Sequence, residues 1–185
     1  MTNINFRQYI ELSLRTEIKD YDLILKKLNA ITLRKLHGSY LYLEIEELEQ
    51  AIIKNDEINI IEELGDCAWY IALLSDIFNI DLKFNGKITN TKDLTKIKQV
   101  AFDVADNIKK VIMYNKPLCE VKEFIEKIDE IYFLFNQEFG NLWQLGLEKN
   151  ILKLQKRYGE KYSDIKANNR DIKAELEVIK NVFKR

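Results

Sequence analysis

Four acidic residues, Glu44, Glu47, Glu63 and Asp66, fall into two pairs, each with i,i+3 spacing. Glu44 and Glu47 stand immediately before the apolar residues Ile45 and Leu48, and Glu63 and Asp66 stand immediately before Leu64 and Cys67. On a helix this offset sets each pair about 100° round from a buried stripe, and partners three apart share a side. Two such helices packed as a hairpin bring four carboxylates together. Carboxylates crowded in a partly buried groove repel one another and resist ionisation unless a cation intervenes. The set holds no imidazole or thiolate, so its oxygen donors suit Mg²⁺ or Mn²⁺ rather than zinc. Such ions clamp phosphates. Neighbouring Glu46, Glu49 and Glu62 read instead as solvated surface, and the rival pair Glu46 and Glu49 lies on the opposite flank of its helix.

The elements that must position these groups are marked by two stripes. Leu41, Ile45, Leu48 and Ile52 form the first, and Ile60, Leu64, Cys67, Ile71 and Leu74 the second, both stepping by four and three. Gly38-Ser39 is the expected stop and N-cap before the first helix, and Asn55-Asp56 breaks it from the second, so the hairpin spans 37–79. Upstream, Asn5 to about Asn29 reads as a helix. Downstream, a turn-rich connection centred on Asn85-Gly86 leads into helices over Thr91 to Tyr114 and Cys119 to about Phe139. Gly140-Asn141 then introduces a helix bearing Asn150, Lys153 and Arg157, and a last helix is expected from Ser163 towards Arg185.

A single proline, six glycines and 32% charged residues favour helices buried on one face and charged on the others, and the length of 185 residues favours one core. The expectation is therefore an all-α helical bundle forming a single domain over 1–185. The formal net charge of −1 gives no reason to expect a nucleic-acid polymer or an anionic membrane as partner, while a small anionic ligand stays open. No apolar run reaches bilayer length and the N-terminus lacks a signal-peptide pattern, so a cytoplasmic location is expected, with Cys67 and Cys119 as reduced thiols. His37 is the only histidine, which rules out the paired Glu-x-x-His motifs of ferritin-like di-iron bundles. On its own it reads as a structural residue more readily than as a proton shuttle.

The stretch 100–139 resembles a worn copy of the acidic hairpin. Asp103 and Asp106 repeat the Glu44 and Glu47 spacing, with Val100, Val104 and Val111 continuing a stripe. On the following helix, pairing Glu126 and Asp129 with Glu63 and Asp66 would bury Glu123, Lys127 and Glu130. Aligning the apolar residues Val121, Ile125, Ile128, Tyr132 and Phe135 avoids that cost and puts Phe124 and Lys127 at the ligand positions. Two readings stand: a duplicated hairpin in which the first copy alone holds metal, or two hairpins that merely look alike.

The ordered set His37, Glu44 to Glu47, Glu62 to Asp66 and Trp69-Tyr70 resembles the MazG-like all-α nucleoside triphosphate pyrophosphohydrolases, relatives of the dimeric dUTPases. FRQYIELSLRTE (Phe6 to Glu17) is similar to the first helix of that family. NILKLQKRYGEKY (Asn150 to Tyr162) and ANNRD (Ala167 to Asp171) resemble the closing segments of its phage-type members. Leu43 stands where a fuller EExxE metal motif has its first Glu, which puts a second metal ion in doubt, and Gly159 replaces the usual proline of RYP.

The resemblance implies an all-α fold, a Mg²⁺ (or Mn²⁺) held by Glu44, Glu47, Glu63 and Asp66, and hydrolysis of a nucleoside triphosphate to monophosphate and pyrophosphate. One glutamate of the four would orient the attacking water. It further implies phosphate contacts from Arg15, Asn150, Lys153 and Arg157, an approach of Tyr158 to the base, and a possible homodimer. Spacing alone reads Lys153 and Arg157 as a solvated basic face, Arg15 as exposed, and Tyr158, Trp69 and Tyr70 as packing residues. Phosphoribosyl-ATP pyrophosphohydrolase is the second enzymatic reading, and a catalytically inactive nucleotide-binding or regulatory helical protein the rival from another class.

Overall fold

The computed structural model describes residues 28–114, 121–159 and 162–180, together with 22, 25 and 26. Among these there are eight numbered helices and no strand. They are α1 (Ala30–Gly38), α2 (Leu41–Ile53), α3 (Glu57–Phe78), α4 (Thr95–Tyr114), α5 (Val121–Phe139), α6 (Asn141–Tyr158), α7 (Asp164–Asn168) and α8 (Ile172–Lys180). The all-α class expected from the sequence is the one found. The helix expected from Asn5, with Arg15 on it, and Cys119 lie outside the described residues.

α3 is the central element, packed against α1, α2, α5, α6 and α8. Its whole expected stripe, Ile60, Leu64, Cys67, Ile71 and Leu74, is buried, and Leu41, Ile45 and Leu48 of α2 face it. Ala51 completes the α2 face, while Ile52 is only partly buried. The hairpin turn is set locally: Asn55 takes the left-handed conformation (φ 52°), and the Asp56 carboxylate accepts the Asn59 amide at 3.2 Å as N-cap of α3. Left-handed Asn79 ends α3. Before α2 the expected cap is different: Tyr40 occupies the N-cap position, and the Ser39 hydroxyl donates back to the Leu36 carbonyl at 2.6 Å.

α3 and α6 approach closely because two glycines face each other. A Cβ on Gly65 would lie 2.8 Å from the Gly146 carbonyl oxygen, and one on Gly146 would lie 2.9 Å from the Leu64 Cβ. This contact brings the side of α6 bearing Asn150 and Lys153 over the acidic flank of α3.

α4 pairs with α5 and touches α2. Lys98 of α4 binds Glu46 at 2.7 Å and Glu49 at 2.9 Å, so the rival acidic pair on α2 faces a neighbouring helix as well as solvent. The buried face of α5 is Phe124, Ile128, Ile131, Phe135 and Phe139, and Val121 is exposed. The expected stripe through Val121, Ile125 and Tyr132 is therefore displaced, because Phe124 turns inward against Phe78 with ring centroids 4.9 Å apart. α4 begins four residues later than expected, since Thr89 and Thr91 donate hydroxyls to the buried carboxylate of Glu138 and tie the preceding loop to the end of α5. The expected last helix is two. α7 ends at Asn168, and Asp171 accepts the Ala174 amide at 3.1 Å, capping a separate α8.

Candidate active site

Glu44 from α2 and Glu63 and Asp66 from α3 converge as the sequence led one to expect. One carboxylate oxygen from each lies within 4.8 Å of the other two. Glu47, one turn along α2, stands outside this triangle, exposed, on the wall of the adjoining pocket.

Crowding shows in the acidities. Burial, then the Asp66 and Glu47 charges, raise the Glu44 carboxyl to about 7 against the pull of Lys153 and Tyr70. Glu63 is 7% exposed; burial, then the charges of Asp66, Glu47, Glu62 and Glu44, push it up to about 8. The same environment acts on Tyr70, whose hydroxyl is raised to about 12 by burial and by Glu44 and Asp66. Each shift reports burial first, and after it the neighbouring negative charge.

Asp66 has its own partners. The buried Lys153 ammonium donates to both of its oxygens at 2.7 Å, and the Asn150 side-chain amide donates to one of them at 2.8 Å. Lys153 and Asn150 are thus brought to the site, but onto a carboxylate of the triangle. Glu62, expected on the surface, is a correction: its side chain is 17% exposed and 3.4 Å from Lys153. It turns inward because the glycine crossing lowers α6 onto this flank of α3.

The triangle fits a divalent cation. Three carboxylates against one ammonium leave two formal negative charges before Glu47 and Glu62 are counted. Its donors are all hard oxygens, the kind that Mg²⁺ and Mn²⁺ take.

Beside it opens a pocket of about 760 Å³, within the size range of ligand sites. Its acidic lining residues are Glu44, Glu47 and Asp66. One wall is aromatic: Trp69 is 37% exposed, and its ring lies 5.1 Å from His37 and 5.1 Å from Tyr70. Trp69 is therefore no core residue, because at its place on α3 the helix emerges beside α1 into the open cleft. Arg157, Tyr158, Tyr162 and Arg170 also line the pocket. Arg157 donates from Nε and an η nitrogen to the two oxygens of Glu175 at 2.9 and 2.5 Å, and Arg170 donates to Glu175 at 3.0 Å. Burial pushes the Glu175 carboxyl up, but these bonds outweigh it and hold the group below its usual value. Sequence reasoning missed Arg170 and Glu175. Arg170 stood in the ANNRD stretch that resembles the family, whereas nothing local marked Glu175.

The described residues thus form an all-α bundle in which a carboxylate triangle at a helical hairpin adjoins a pocket lined by aromatic and cationic side chains. Residues 34–101 match the MazG nucleotide pyrophosphohydrolase domain. The matched segment contains α2 and α3 with all four acidic residues, while Asn150, Lys153, Arg157 and Arg170 lie beyond it. No curated protein and no solved structure matches the chain significantly.

Proposed function

We propose that the protein is a Mg²⁺-dependent nucleotide pyrophosphohydrolase, converting a nucleoside triphosphate to its monophosphate and pyrophosphate. The observation that carries the reading is the Glu44, Glu63 and Asp66 triangle inside a segment matching the MazG domain. These three carboxylates would hold the cation. When bound, Mg²⁺ supplies charge neutralisation at the phosphates and makes water more acidic.

The remaining work falls to the chain. Lys153 and Asn150 fix the Asp66 carboxylate, so that it enters the ligand set already oriented. Glu47 stands clear of the triangle on the pocket wall, and is the glutamate we assign to orienting the attacking water and accepting its proton at a carboxylate oxygen. Trp69, His37 and Tyr70 offer an aromatic face for the base, and Arg157 and Arg170 offer guanidinium donors for phosphate oxygens. Tyr158 also lines the pocket, with the Arg157 guanidinium 5.6 Å from its ring centre.

We read α4 and α5 as the degenerate counterpart of the α2–α3 hairpin. Supporting this, the Lys127 ammonium lies 3.2 Å from Asp103, a built-in cation beside the residue that repeats Glu44. Asp106 is likewise paired with Lys109 and Lys110 on its own helix. Such a duplication would supply within one chain what relatives build by dimerising.

Product analysis tests the reading. Nucleoside triphosphates incubated with the protein and Mg²⁺ should yield monophosphate and pyrophosphate in equal amounts. Diphosphate with orthophosphate would contradict it, and binding without turnover would favour a regulatory protein.

A further inference from the structure

Glu175 is a buried carboxylate outside both the acidic triangle and the matched segment. It is 3% exposed and lies on α8, which packs on α6 and α3 and is anchored there by buried Ile179. Its two oxygens take three guanidinium hydrogen bonds: two from Arg157, whose side chain is 13% exposed, and one from Arg170, at 42%. Both arginines line the pocket and Glu175 does not. One carboxylate therefore holds two guanidiniums side by side from behind. A guanidinium has five N–H donors, so each arginine keeps donors beyond those given to Glu175. The pair, less its single counter-charge, leaves one net positive charge on the pocket lining.

We propose that Glu175 is a positioning residue that sets Arg157 and Arg170 as a paired wall for the terminal phosphates of the substrate, making α8 part of the working site. The inference rests on the pyrophosphohydrolase reading for the identity of the ligand. Two forked donors at fixed separation suit the adjacent oxygens of a pyrophosphate unit, and long side chains held in place beforehand lose less freedom on binding. Without the carboxylate, two like charges would splay apart.

Positioning and simple charge balance predict opposite signs. Glu175→Gln leaves the pocket one unit more positive. If Glu175 only neutralised charge, an anion would then bind more tightly; if it positions, binding weakens. The probe is inorganic pyrophosphate with Mg²⁺, titrated calorimetrically into wild type, Glu175→Gln, Glu175→Asp and Arg170→Gln. The expected result is a loss of about tenfold in affinity for Glu175→Gln, substantial recovery in Glu175→Asp, and a loss for Arg170→Gln with an unchanged melting temperature. With turnover, Glu175→Gln should raise KM and leave kcat within about twofold.

Equal or tighter pyrophosphate binding by Glu175→Gln overturns the proposal, as does a wild type that does not bind pyrophosphate. If Glu175→Gln does not fold, Arg170→Gln decides, and unaltered affinity there overturns it. Weakened binding in a protein that hydrolyses no triphosphate would sustain the positioning role while removing the enzymatic reading.

Discussion

Glu44 and Glu63 carry carboxyls raised to about 7 and about 8, so folding without a cation favours their protonated forms. A carboxyl raised in the folded state contributes stability that is complete below its unfolded value, here 4.5, and is lost as pH climbs through the folded value. The metal-free protein should therefore lose thermal stability steadily from about pH 5 to about pH 9. Mg²⁺ or Mn²⁺ binds the ionised form, so the stabilisation it confers should grow across the same window. Melting temperatures with chelator and with Mn²⁺ check both trends, and Glu63→Gln should flatten both. A chelated protein whose stability rises over that window would contradict the crowding.

At this scale the sequence was informative about the triangle and silent about its surroundings. Phase within a helix is enough to bring Glu44, Glu63 and Asp66 to one flank. Lys153 and Arg157 share one helix face, yet they meet different partners, Asp66 and Glu175, because those partners come from different helices. The inward turn of Glu62 and the exposure of Trp69 likewise depend on which helix lies above α3, information that no local spacing holds.

Among the elements, the crossing of α3 and α6 governs how the site is built. Gly65 and Gly146 allow the backbones to approach, and the approach delivers Asn150 and Lys153 to Asp66. Gly146→Ala introduces a methyl where 2.9 Å separates it from the Leu64 Cβ and 3.1 Å from the Gly65 nitrogen. Such overpacking should cost about 1–3 kcal/mol of stability, read from the denaturation midpoint, and should weaken Mn²⁺ binding by displacing the Asp66 partners. Undiminished stability and metal affinity would show that the helices are free to separate there.

The stripes of α2 and α3 were legible because one periodic face had one partner. α5 offers two overlapping seams with the same stepping, and contact with Phe78 selects the one through Phe124. The break between α7 and α8 was hidden for a related reason. A run from Asp164 to Lys180 has no proline or glycine to mark it, and the cap at Asp171 needs the backbone already turned.

Taken as a whole, the molecule assembles its pocket from distant parts of the chain. The carboxylates, Trp69, Tyr70 and His37 of its lining come from α1, α2 and α3, and the guanidiniums from α6 and the segment leading into α8. The MazG match at residues 34–101 accounts for the first half, and the second depends on α6 and α8 folding back over α3. No helix among the described residues is long and apolar enough to cross a membrane. On the proposed function, the carboxylates would serve the cation and the guanidiniums the phosphates of a metal–triphosphate complex.

On the proposed function, the triangle of carboxylates runs the hydrolysis. Its most direct test is the rate of pyrophosphate release from a nucleoside triphosphate, followed across a Mg²⁺ titration in wild type and in Glu63→Gln. Glu63→Gln should lower the rate by about a hundredfold or more and shift the Mg²⁺ requirement upward. Its fold should be intact, because removing a crowded buried charge does not destabilise the metal-free protein. A Glu63→Gln protein that releases pyrophosphate at the wild-type rate, with the same Mg²⁺ dependence, would contradict the claim.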